Sequence, residues 1–112
     1  MKLVRLTELP DQGVSHNPLI RKRVMVEQGL LPGITNYARA VFPPGEKAGE
    51  HLHNDMAEVF TCESGRGEFR VDDVGYVFEP GVTIVVEPGE THEIINSGST
   101  DLVVTYFGVE TR

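Results

Sequence analysis

GEKAGEHLHNDMAEVFTCESG, residues 45 to 65, decides how the rest of the chain is read. His51 and His53 stand two apart, and an extended strand sends alternate side chains to one face, so both imidazoles would point the same way. Five residues past His53, Glu58 opens an apolar segment, EVFTC. A further histidine, His92, lies downstream in VEPGETHEIIN, in the same kind of β context. Three imidazoles and one carboxylate converging on a point suit a divalent first-row transition metal, and such a mixed nitrogen and oxygen set is compatible with Mn, Fe, Co, Ni, Cu or Zn. The spacing therefore predicts a metal site inside a rolled β-sheet.

Around this stretch, turn signals come at short intervals: PPGE before it, then ESGRG, VDDVG, FEPG, EPGE and NSGST. Between them lie EVFTC, EFRV, YVF, VTIVV, THEII and DLVVTYF, while RKRVMVE and ITNYARAVF read as strands upstream. Short strands divided by Gly, Pro and Asp predict an all-β sandwich or barrel. No segment sustains a helical period. A short strand is expected over Met1 to Thr7, and SHNPLI is expected to be irregular because Pro18 restricts Asn17. If Glu58 points inward, Phe60 and Cys62 share its face, and Ile94 and Asn96 likewise follow His92. In ITNYARAVF, Tyr37, Arg39 and Val41 share one face and Asn36, Ala38, Ala40 and Phe42 the other; the segment itself does not choose between them.

A chain of 112 residues with 39% hydrophobic content is expected to form one domain over residues 1–112. Seventeen acidic against ten basic residues give a net charge of -7, which argues against nucleic acid or an anionic membrane as partner. Cys62 is the one cysteine, so no intrachain disulfide is possible, and the cytoplasm is the expected location. MKLVRLTELPDQG carries charges throughout, unlike a signal peptide, and no apolar run approaches the roughly 20 residues a bilayer requires.

The spacing of these residues resembles the cupin superfamily, and specifically its small members built of one domain. The first cupin motif runs glycine, five residues, HxH, three or four residues, glutamate, six residues, glycine, and Gly45, His51, His53, Glu58 and Gly65 meet it at every position. In the second, Gly81, Gly89, His92 and Asn96 fall in register, but Glu87 holds the proline position and Pro88 follows one residue later. Together the motifs span residues 45 to 96, motif one over 45–65 and motif two over 81–96. The resemblance implies a double-stranded β-helix, or jelly-roll barrel, with His51, His53, Glu58 and His92 as metal ligands. It also implies a homodimer formed through N-terminal strands, here Lys2 to Thr7 and Arg21 to Glu27.

Four protein ligands leave two positions open on a six-coordinate ion, which suits a catalytic metal binding a small molecule. The expected function is that of a small metalloenzyme, a dioxygenase, decarboxylase or isomerase acting on a small organic molecule. The alternative is a module that binds a small ligand or metal without turnover. Tyr37 and Arg39 are candidate substrate-binding or catalytic residues, since a guanidinium fork and a phenol recognise carboxylates. Glu87 is read as a solvated turn residue rather than an acid or base. His16 is read as an ordinary surface histidine, Cys62 as a small buried hydrophobe, and glycines 45, 65, 81 and 89 as turn residues.

Overall fold

Antiparallel strands joined by tight turns make up the computed structural model, which describes residues 1–111. They are β1 Gln12–Val14, β2 Asn17–Val26, β3 Ile34–Phe42, β4 Lys47–His51, β5 Met56–Ser64, β6 Gly67–Val71, β7 Val74–Phe78, β8 Thr83–Val86, β9 His92–Ile95 and β10 Leu102–Glu110. Six of them form one sheet in the order β1-β2-β3-β10-β5-β8, and four form the other in the order β4-β9-β6-β7. From β3 onward the chain passes back and forth between the sheets, which is the winding of a jelly roll. No helix among the described residues is long and apolar enough to cross a membrane.

Two expectations for the N-terminal region are overturned. Met1 to Thr7 form no strand; the segment ends in one 3₁₀ turn, Leu6–Glu8, held by the Arg23 guanidinium donating to the Leu6 carbonyl at 3.0 Å. The sheet edge it could have joined is already taken, because β1 pairs with β2 through Gln12↔Lys22 and Gly13↔Arg21. Nor is SHNPLI irregular throughout, since Asn17 to Ile20 belong to β2. Pro18 is tolerated because the ladder slips there: Val14 pairs with Asn17 while Gly13 pairs with Arg21. A proline, lacking an N–H, is accommodated at just such a break.

Alternation then decides what is inside. On β5 Phe60 and Cys62 are buried, on β9 His92 and Ile94, on β10 Leu102 and Val104. Phe69 and Phe78 of the second sheet are fully enclosed, and their rings stand 5.3 Å apart, with Phe60 5.1 Å from Phe69. These tilted and edge-on contacts add to the roughly 1.5–3 kcal/mol that burying such a side chain contributes.

One end of the roll is closed by hydrogen bonds as well as by packing. Asn96, 1% exposed, donates from its amide nitrogen to the carbonyls of Phe42 and Thr100, each at 2.9 Å, and its Oδ1 accepts from the Gly98 N–H. Gly65, at φ 85°, lies so close against Asp101 and Leu102 that a Cβ would collide with backbone. The other motif glycines, 45, 81 and 89, also adopt positive φ. At the β6–β7 hairpin Asp72 and Asp73 both have positive φ, the conformation of a tight turn matched to strand twist.

Candidate metal centre at the open end of the barrel

The opposite end is open, and the histidines gather there. β4 ends at His51, which pairs with His92 on the neighbouring β9. His53 lies just beyond the strand, in the loop that leads to β5, and Glu58 comes up from the third residue of β5 itself. The three imidazole ring centres are 5.8 Å (His51 and His92), 6.1 Å (His53 and His92) and 6.3 Å (His51 and His53) apart. Glu58 Oε1 stands between two of them, 3.5 Å from His53 Nε2 and 3.4 Å from His92 Nε2. All four residues named as ligands from the sequence are thus brought to one place.

Electrostatics in this cluster are those of groups short of a partner. Burial raises the Glu58 pKa, opposed by the nearby His53 charge. Burial lowers His92 to about 4, helped by His51 and His53, against a pull from the Glu90 backbone carbonyl. That carbonyl favours the protonated ring but falls short of a hydrogen bond, for His92 Nδ1 is buried and unsatisfied. At neutral pH His92 is therefore uncharged, and its approach to Glu58 is no ion pair. Glu58 Oε1 is the other buried side-chain nitrogen or oxygen atom among the described residues without a hydrogen-bond partner.

Do these groups suit a metal ion? Two ligand atoms about 2.1 Å from a common ion, at angles near 90–110°, stand roughly 3.0–3.4 Å apart. Of the two oxygen-to-nitrogen separations, 3.4 Å lies at the upper end of that range and 3.5 Å just beyond it. As they stand, no three His, Cys, Asp or Glu side chains among the described residues are closed tightly enough to hold an ion. The donor atoms are nevertheless of a kind and number that suit a divalent transition metal, three imidazoles and one carboxylate.

A cavity of about 270 Å³ runs inward from this cluster, between Phe60, Ile94, Ala40 and Val104 on its apolar side. Lys22, Asn36, Glu93 and Tyr106 also line it. A wider groove of about 470 Å³ meets it at the mouth, sharing Asn36, His53, Met56, Glu58 and Tyr106. Tyr37 and Arg39 do not belong here, which corrects the expectation that they face the substrate. β3 turns Ala38, Ala40 and Phe42 inward and buries them, and Arg39 on the opposite face donates to Glu63 Oε2 at 2.9 Å. An arginine among the enclosed alanines would leave its charge unpaired. Glu87 is exposed at a turn, accepting at its carbonyl from the Glu90 N–H.

The sequence profile of the cupin domain family matches residues 38–108. This chain belongs to the cupin superfamily. An oxalate-binding protein of Thermotoga maritima is 33% identical to this cupin over 84 residues, covering 75% of the chain and 65% of that protein, just under two thirds of its length. A crystal structure described as a predicted oxalate decarboxylase, also from Thermotoga maritima, superposes with a TM-score of 0.90 over 97% of this chain and 99% of that one, at 23% identity. A sugar phosphate isomerase of the cupin superfamily from Silicibacter pomeroyi gives 0.84 over 98% and 76%, at 16% identity. At such identities the superpositions establish the cupin barrel and nothing finer.

Lys22 and Tyr106 were not anticipated as cavity residues. The signal was available in strand parity: Lys22 alternates with buried Ile20 and Val24, and Tyr106 with Leu102 and Val104. The Tyr106 ring stacks on Phe60 at 5.5 Å, and burial, then the Glu58 charge, push its pKa up to about 12. Its phenol is therefore a proton-bearing donor at neutral pH.

Proposed function

We propose that this cupin holds a divalent transition metal through His51, His53, Glu58 and His92 and acts with it on a small organic acid, as a decarboxylase, dioxygenase or isomerase. The observation that carries this reading is Glu58 Oε1, buried without a hydrogen-bond donor and 3.4 and 3.5 Å from two imidazole nitrogens. A buried carboxylate lacking a partner is costly, and a cation among these four groups removes that cost. Bound there, a divalent ion would serve as a Lewis acid toward a substrate oxygen.

The chain's own residues supply the rest. Burial keeps His92 unprotonated, so its nitrogen lone pair is free to ligate. Phe60 and Ile94 exclude water from the inner side of the site, and the Tyr106 phenol offers a hydrogen bond to an anionic oxygen. The oxalate-binding relative supports a small carboxylate as substrate class. Its name also favours a second reading, in which the chain binds such an acid without turning it over.

Elemental analysis of protein purified without chelator is the first test, followed by oxygen-uptake and small-acid decarboxylation screens. One metal per chain is expected. His53→Ala should lower metal content at least tenfold while His16→Ala, on a hairpin tip, keeps the wild-type value. Equal retention by both variants would end the site assignment. Turnover in the screens would then separate enzyme from binding module.

A homodimer is proposed on separate grounds: Leu3 and Val4 are 65% and 45% exposed, and β1 lies at an edge of the larger sheet. Light scattering should give twice the 12.4 kDa of the chain, and a monomer mass would refute it.

A further inference from the structure

Not every polar residue that shares the cavity with the histidines is explained by the metal. Lys22 projects from the inward face of β2, where its register partner on β3 is Ala40, and Ala40 in turn pairs with Val104 of β10. Ala40 fills none of the space beyond its Cβ, which leaves room for the neighbouring lysine stem along an apolar floor. Lys22 takes part in none of the ion pairs among the described residues. Glu93, which also lines the cavity, lies with its Oε1 3.6 Å from Arg70 Nε, an arginine that Glu68 engages at 2.7 Å. Glu58 stands in the histidine cluster. Lys22 is thus a cation lining the cavity with no carboxylate partner among the described residues.

Tyr106 adds a second unengaged donor. Its ring stacks on Phe60 at 5.5 Å, and its hydroxyl enters none of the side-chain hydrogen bonds found among the described residues. It lies on the boundary between the inner cavity and the outer groove. A divalent ion at the cluster and the Lys22 ammonium would place positive charge at two points of one cavity, which suits a small anion charged at both ends.

We propose that Lys22, assisted by the Tyr106 hydroxyl, is the specificity-determining residue of this cupin: it receives the end of a small dicarboxylate that faces away from the histidine cluster. The proposal rests on the metal-site reading above. Lys22 and the four residues of the cluster line one cavity of roughly 270 Å³, so one small ligand held at the cluster shares its space with the lysine. A neutral diamide of the same shape would leave Lys22 without an anion and gain little from it. A lysine serves here as a point charge on a flexible stem, so an arginine on the same strand would reach a similar place.

The test is calorimetric titration of Mn(II)-loaded protein with oxalate and with oxamide, alongside metal content of every variant. Lys22→Met should keep wild-type metal content and weaken oxalate binding about tenfold or more, the size of effect expected for a charge-assisted contact. Tyr106→Phe should weaken it about three- to tenfold, Lys22→Arg should restore most of the loss, and oxamide affinity should not separate the variants. Equal oxalate affinity in wild type and Lys22→Met, or no oxalate binding by metal-loaded wild type, overturns the proposal. A wild type that holds no metal instead refutes the underlying metal reading, and metal content reports that independently of the titration.

Discussion

The two ends of the barrel are built by the same strands and behave oppositely. On β5 the inward residues run from Glu58 at the open end to Cys62 at the closed one, and on β9 the sequence passes from His92 through Ile94 toward Asn96. At the closed end the buried Asn96 is fully engaged: its side chain makes three hydrogen bonds that tie β3 to the loop before β10. At the open end Glu58 Oε1 is buried without a hydrogen-bond partner, beside two imidazole nitrogens. Buried polar groups are normally satisfied, so this oxygen marks the end of the barrel suited to a cation. The closed end carries stability, and the open end carries unspent binding capacity.

The sharpest way to break that division is to cut into the closed end. Phe69 is fully buried and touches Phe60 and Phe78 at ring-centre distances of 5.1 and 5.3 Å. Phe69→Ala should lower unfolding free energy by about 3–5 kcal/mol, read from urea titration with unchanged slope. A loss under about 1 kcal/mol would mean that the aromatic chain is not the stabilising element. His53→Ala, by contrast, should cost little stability in metal-free protein.

A second prediction concerns acid. In metal-free protein His92 has its pKa depressed from 6.5 to about 4, so between those values the unfolded chain binds the proton and the folded one does not. Stability is then fully present above about pH 6.5 and declines as pH falls toward 4, by up to about 3 kcal/mol for this group. Glu58 acts in the other direction, because its pKa is raised: the folded state prefers it protonated, and that contribution is lost as pH rises through the raised value. The His92 effect is isolated by comparing wild type with His92→Gln from pH 7 to pH 4.5. Parallel melting curves across that range would refute the assignment of a neutral, buried imidazole.

Much of this division could be read in the sequence, for a physical reason. A strand's alternation and a turn's need for glycine are local constraints, so Gly45, Gly65, His51, His53 and Glu58 announce both the roll and the cluster through spacing. Local information stops where a choice depends on neighbours. ITNYARAVF has two mixed faces, and only the narrowing interior, which admits Ala38 and Ala40, decides against Arg39. Lys22 sits between two arginines in RKRVMVE and so reads as part of a solvated run, although its parity with Ile20 and Val24 points it inward. Met1 to Thr7 alternate like a strand, but alternation names no pairing partner, and the edge of β2 is taken by β1.

The smallest expected effect tests the face that was chosen. Arg39 and Glu63 form an ion pair at 2.9 Å with side chains 34% and 42% exposed, on the outer surface of the larger sheet. A pair so open to water contributes about 0–1 kcal/mol. Arg39→Ala should therefore change stability within that range and leave both metal content and oxalate affinity at wild-type values. This is the opposite of what a guanidinium holding a substrate carboxylate would do, since removing such a group costs about tenfold or more in affinity. If Arg39→Ala weakened oxalate binding while Lys22→Met did not, the inner and outer faces of β3 would have to be exchanged, and with them the argument that enclosed alanines make room for a lysine from the next strand.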